Sequence, residues 1–188
     1  MRFRLNISLL VILCSCASTS KPIHTVSVNG FTPWITGHDA ATTQLIPTPG
    51  NNALKSEDGQ TIAHVKFEVK QYGEVSFPIN TKTIAGQEAL KTDLSAYKQI
   101  QITYQANQHF ILQLRQTGVH GGVHNQVTLP AANPFTTVVV LFSEFKGGKT
   151  PLDLTDVAKF NFAFLSNHTK DGFSELKVRS FIIDGYEP

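Results

Sequence analysis

An antiparallel β-sandwich of jelly-roll type is the all-β fold this sequence predicts, and three observations predict it. From residue 62 onward, apolar and polar residues alternate with period two in several short runs, which places one side of each strand in a core and the other in water. Turn-forming stretches separate these runs at short spacing, and no long run with a 3.6-residue period intervenes. The chain also carries 13 Phe among its 188 residues. Burying some ten to fifteen Phe, Val, Leu and Ile side chains yields roughly 1.5–3 kcal/mol each, a gross stabilisation to set against chain entropy.

The first fifteen residues lie outside that fold. Arg2 and Arg4 precede an apolar run from Leu5 to Leu13, a secretory leader too short to remain as a membrane span. The segment Leu13-Cys14-Ser15-Cys16 resembles a bacterial lipobox, which implies cleavage before Cys16 and a lipid on its thiol. Ala17 and Ser18 bring no acidic residue behind that cysteine, so the same resemblance favours an exported lipoprotein of the outer membrane. Residues 16–23 read as a tether, and residues 24–188 as one β-sandwich domain. No cysteine follows residue 16; the domain has no disulfide to hold it and rests on burial.

Along the domain, a short strand is expected over residues 25–29, and the prolines and Gly-Asn of residues 47–52 make a loop. Ala63, Val65, Phe67 and Val69 share one face opposite His64, Lys66, Glu68 and Lys70. Gly73 is expected to turn the chain into a second strand with Val75 and Phe77, the two forming a hairpin. Ile100, Ile102 and Tyr104 alternate with Gln99, Gln101, Thr103 and Gln105, and Phe110, Leu112 and Leu114 with His109, Ile111, Gln113 and Arg115. Further strands are expected over residues 123–129, 136–142, 160–165 and 175–184. In the last, the apolar parity moves from Leu176 and Val178 to Phe181 and Ile183, as a bulge requires. Single helical turns fit residues 143–145 and 153–157.

Several of these runs carry a resemblance. Residues 93–102, 110–116 and 135–145, continued by 152–157, 160–162 and 176–184, resemble galactose-binding-like jelly-roll domains. Within that group the pattern is similar to the carbohydrate-binding modules of bacterial cellulases and glucanases, and it is shared by the complex I intermediate-associated protein family. Phe135 departs from it, because a Trp is usual there. The resemblance implies a non-catalytic domain that binds oligosaccharide or polysaccharide of β-glucan type. It also offers Asp184, near the end of the last strand, as a ligand for structural calcium, although no loop spells a calcium motif. No other cofactor is implied.

The residues support that direction on their own chemistry. Without the leader, Lys+Arg fall level with Asp+Glu at 14, and nucleic-acid binding loses its electrostatic footing. No nucleophile elbow, phosphate loop or dinucleotide fingerprint is present, and Glu68, Glu74, Asp93, Glu144 and Asp153 suit solvated faces and turns better than an acid pair. The sequence therefore argues against an enzyme. His120 and His124 stand four apart around two glycines, which falls short of a metal site without a third ligand. If Phe110, Leu112 and Leu114 point inward, Gln113 and Arg115 point outward together, and His124 and Gln126 on a neighbouring strand can join them. Amides, imidazole and guanidinium are what sugar hydroxyls require. Trp34 and Tyr72 are the expected stacking partners. The alternative expectation is an assembly lipoprotein whose jelly roll holds a protein partner.

Overall fold

The computed structural model describes residues 34–80, 82–84, 87–169 and 172–186. The leader, the lipobox cysteine Cys16, the tether and the strand expected over residues 25–29 lie outside the described residues.

Eleven strands are found among the described residues. They are β1 (Ile35–His38), β2 (Thr43–Ile46), β3 (Leu54–Glu57), β4 (Gln60–Glu68), β5 (Tyr72–Pro78), β6 (Gln99–Ala106), β7 (Phe110–Gln116), β8 (Asn125–Leu129), β9 (Ala132–Leu141), β10 (Val157–Leu165) and β11 (Phe173–Ile183). Two antiparallel sheets form from them. One runs β1-β5-β10-β7-β8, the other β2-β4-β11-β6-β9 with β3 paired to β4. This is the predicted β-sandwich. Single 3₁₀ turns at Phe142–Glu144 and Leu154–Asp156 fall where helical turns were expected, and a third occupies Ser166–His168.

The alternating residues meet between the sheets. Val65 and Phe67 of β4, Ile100, Ile102 and Tyr104 of β6, and Leu176, Val178, Phe181 and Ile183 of β11 face Val75 and Phe77 of β5, Leu112 and Leu114 of β7, and Phe160, Phe162 and Phe164 of β10. Phe77 is the aromatic hub, with the rings of Phe181, Phe162 and Phe160 at 4.9, 5.5 and 5.8 Å. Tyr104 is fully buried and satisfies its hydroxyl by donating to Pro130 O at 2.9 Å. The parity change in β11 is a register shift between Val178 and Ser180. It leaves Arg179 stacked over the Phe135 ring at 3.8 Å.

Two expectations are corrected. Residues 62–78 are not a hairpin: β4 lies in one sheet and β5 in the other, so the connection crosses the sandwich. Both strands point the same parity inward because they line one core from opposite sides. Gly73 does not turn the chain either. It sits within β5 on the core side, where a Cβ would lie 2.8 Å from Phe67 Cγ. The corner comes earlier, at Lys70 and Gln71, and Asp39 holds it. One Asp39 oxygen accepts from Ala41 N and Thr42 N, the other from the Thr42 hydroxyl and from Gln71 N and Tyr72 N at 3.1 and 2.8 Å. These donors favour the charged carboxylate and hold its pKa well below the usual range, the Thr42 hydroxyl contributing most.

Candidate functional site

Core packing of one parity fixes where the other parity points. With Leu112, Leu114, Phe160, Phe162, Val75 and Phe77 inward, the outer face of the five-stranded sheet is built by Gln113 and Arg115 of β7, Lys159 and Asn161 of β10, and Tyr72, Glu74 and Ser76 of β5. Register sets them in rows: Gln126, Gln113, Asn161 and Ser76 are successive partners across β8, β7, β10 and β5. Arg115 lies directly opposite Lys159.

A hydrogen-bonded line of side chains crosses this face. Gln113 donates to Gln126 Oε1 at 3.2 Å, and the Asn161 amide donates to Gln113 Oε1 at 3.4 Å and to Glu74 Oε2 at 2.7 Å. Asn161 is wholly buried beneath its neighbours, and its Oδ1 has no hydrogen-bond partner. Arg115 Nη1 stands 4.0 Å from Glu74 Oε1, and Lys159 Nζ reaches Ser76 Oγ at 3.5 Å.

The loop ahead of β8 forms one wall. Gly121 and Gly122 take φ of 72° and 83°, conformations that suit glycine. A second loop pins the wall from outside: Lys149 N donates to Val123 O at 2.8 Å, while Asn125 accepts from Gly148 N at 3.1 Å and donates to Thr150 O at 2.9 Å. His124 is thereby pressed against the sheet with 7% of its surface exposed. Burial, reinforced by the nearby Arg115 and Lys159 charges, pushes its pKa down to about 4. The imidazole is neutral at pH 7.

Together these groups line a depression of about 430 Å³, bounded by Tyr72, Glu74, Gln113, Arg115, Gly121, Gly122, His124, Ala163 and Leu165. That volume falls in the range of small-molecule sites, roughly 300–1,000 Å³. Arg115 also lines an adjoining depression of about 290 Å³ that holds Lys159, Thr117, Glu88 and His120. The two make a groove along the sheet, with amide, imidazole and guanidinium groups in the floor and the ring of Tyr72, 40% exposed, at one end. A carboxylate held by an amide and a guanidinium is an acceptor for hydroxyls. Glu74 is the one carboxylate among the described residues lining the larger depression.

Gln113, Arg115, His124 and Tyr72 therefore line one depression, and Gln126 joins it through its bond to Gln113. Trp34 does not join them. It is 6% exposed, with its ring 4.4 Å from Phe77, so it belongs to the core and is lost as a stacking surface. His120 and His124 line different depressions, and among the described residues no three His, Cys, Asp or Glu side chains come together around a metal position. Asp184 is exposed just beyond β11.

Glu74, Lys159 and Asn161 were missed as site residues. Asn161 between Phe160 and Phe162, and Glu74 between Gly73 and Val75, carry a signal in their parity. What places them beside Gln113 is the strand order, which parity does not encode.

Among solved structures, the chain is similar to the family 11 carbohydrate-binding module of the cellulosomal cellulase Lic26A-Cel5E of Clostridium thermocellum. The TM-score is 0.59 at 14% identity, covering 88% of this chain and 95% of that one. The family 11 module from Clostridium thermocellum in complex with a β-1,3-1,4-mixed-linked tetrasaccharide gives 0.58 at 14% identity, covering 86% and 94%. The fold is the jelly roll of these carbohydrate-binding modules. No protein-family model and no curated protein matches the chain, so the likeness to complex I intermediate-associated proteins stays one of sequence pattern.

Proposed function

We propose that this is a non-catalytic carbohydrate-binding domain, exported and lipid-anchored at Cys16, which takes a β-glucan-type oligosaccharide or polysaccharide along the outer face of its five-stranded sheet. One observation carries the reading: Gln113, Arg115 and His124 converge on a single groove with an exposed Tyr72 ring, giving hydroxyl partners in the floor and a stacking surface at one end. The shared fold of family 11 modules, one of them described with a mixed-linked tetrasaccharide, supports the same direction.

Affinity electrophoresis of the purified protein through gels containing β-glucan, xylan, mannan or a polyuronate tests it. Retardation by at least one polymer is expected. Gln113→Ala and Arg115→Ala are each expected to weaken it about tenfold, the loss of a well-made polar contact, with the far-UV spectrum and melting temperature little changed. No retardation by any polymer overturns the reading.

One observation favours a second reading. With Trp34 in the core, Tyr72 is left as the single aromatic lining the groove among the described residues, and a surface poor in aromatic platforms suits an assembly lipoprotein that holds a protein partner. Pull-down from detergent-solubilised envelope separates the two, because stoichiometric protein recovery unaffected by sugar belongs to assembly alone.

A further inference from the structure

On the outer face of the six-stranded sheet three lysines have carboxylate partners, while Arg179 stacks on Phe135. Lys66 pairs with Glu175 at 3.0 Å, Lys177 with Glu57 at 2.7 Å and Lys55 with Glu57 at 3.2 Å. Lys159, in the groove on the other sheet, has no carboxylate within ion-pair distance among the described residues.

Lys159 and Arg115 are direct register partners on adjacent strands, and like charges placed so destabilise a sheet. Little nearby offsets them. One Glu74 oxygen stands 4.0 Å from Arg115, at the outer limit of an ion pair, and the other is taken by Asn161 at 2.7 Å. The Lys159 ammonium has a neutral hydroxyl, Ser76 Oγ at 3.5 Å, as its hydrogen-bond partner. Glu88, in the adjoining depression, accepts from Gly118 N at 3.3 Å and lies 3.9 Å from His120. Both cations are partly buried, Arg115 with 24% of its side chain exposed. Burial first, and then repulsion from Arg115 that outweighs the attraction of Glu74, lowers the pKa of Lys159.

Two cations held together in a groove, with the Glu74 carboxylate 4.0 Å from Arg115 and that of Glu88 turned to Gly118 and His120, form a site for an anion brought by the ligand. We propose that the glycan is acidic, and that a carboxylate or sulfate on one sugar seats between Arg115 and Lys159 while hydroxyls of adjoining sugars bond Gln113, Glu74 and His124. A guanidinium meets either anion with two parallel N–H donors, and an ammonium adds a point charge beside it. This inference rests on the non-catalytic carbohydrate reading above and replaces its neutral β-glucan-type ligand with a charged glycan.

Titration calorimetry of the purified protein with polygalacturonate, a sulfated galactan and neutral mixed-linkage β-glucan, at low and at physiological salt, tests it. Affinity for at least one acidic polymer is expected to exceed that for the neutral one by tenfold or more and to weaken with salt; which acidic polymer leads tells carboxylate from sulfate. Lys159→Met is expected to bring the acidic-to-neutral ratio towards one while the melting temperature holds or rises, since a repulsion is removed. Should that variant fold poorly, Arg115→Gln provides the same reading. Equal or tighter binding of the neutral glucan overturns the acidic ligand and leaves the carbohydrate reading standing. Acidic binding that neither substitution reduces also overturns it, as attraction to the general surface. No binding to any polymer removes both.

Discussion

His124 shows how one side chain ties the groove to the stability of the fold. Its folded pKa of about 4 lies below the value near 6.5 of an unfolded chain. Between those limits the unfolded state takes up a proton that the folded state refuses, so stability falls as pH drops from about 6.5 towards 4. The effect amounts to ~3 kcal/mol at most. Urea denaturation at pH 7 and pH 4.5 is expected to show a smaller difference for His124→Gln than for the parent chain. Equal differences would refute the assignment. Some acid sensitivity remains in the variant, because burial also lowers the pKa of His64 on the other sheet. Gln113 and Arg115 were readable as outward-facing from alternation alone, since each flanks an inward Leu. The environment of Trp34 was not, because Phe31-Thr32-Pro33-Trp34 has no period that says which side is wet.

At the scale of elements, the four-residue strands β1, β2 and β3 were missed, being too short to show a period. The strands from β4 onward and the bulge in β11 were legible because hydrophobic periodicity reports which side of a strand is buried. It does not report which sheet the strand joins. In a sandwich both sheets send the same kind of residue to a shared core, so consecutive strands across a corner look like a hairpin. Gly73 was misread for the same reason: a glycine between two apolar runs suggests a turn, whereas here it clears space for the fully buried Phe67 ring. Gly73→Ala is expected to destabilise the domain by about 1–3 kcal/mol through overpacking. It is expected to leave glycan affinity in the folded fraction unchanged, since residue 73 faces the core. Equilibrium denaturation checks the first expectation and calorimetry the second; an unchanged denaturation midpoint would contradict the close approach.

For the molecule as a whole, the proposed anchor at Cys16 and the groove can be tested separately. As proposed, a lipid on Cys16 followed by a tether of about eight residues would hold the domain within roughly 30 Å of a bilayer surface. The expected outcome of Cys16→Ser is release from the membrane fraction, with glycan retardation of the domain retained; membrane retention of that variant would remove the anchor.

The two innermost strands carry a further consequence. β10 stands between β5 and β7, and β11 between β4 and β6, so each sheet is split down its middle until the last thirty or so residues of the sandwich are available. The earlier strands pair among themselves on one side only, β1 with β5, β2 and β3 with β4, β6 with β9 and β7 with β8, while the inner sides of β4, β5, β6 and β7 wait on partners far along the chain, a long-range topology that folds slowly. Under the proposed export, such a polypeptide would stay loose and threadable while it crosses a translocation channel, and would set into shape only when its final segments have emerged on the far side.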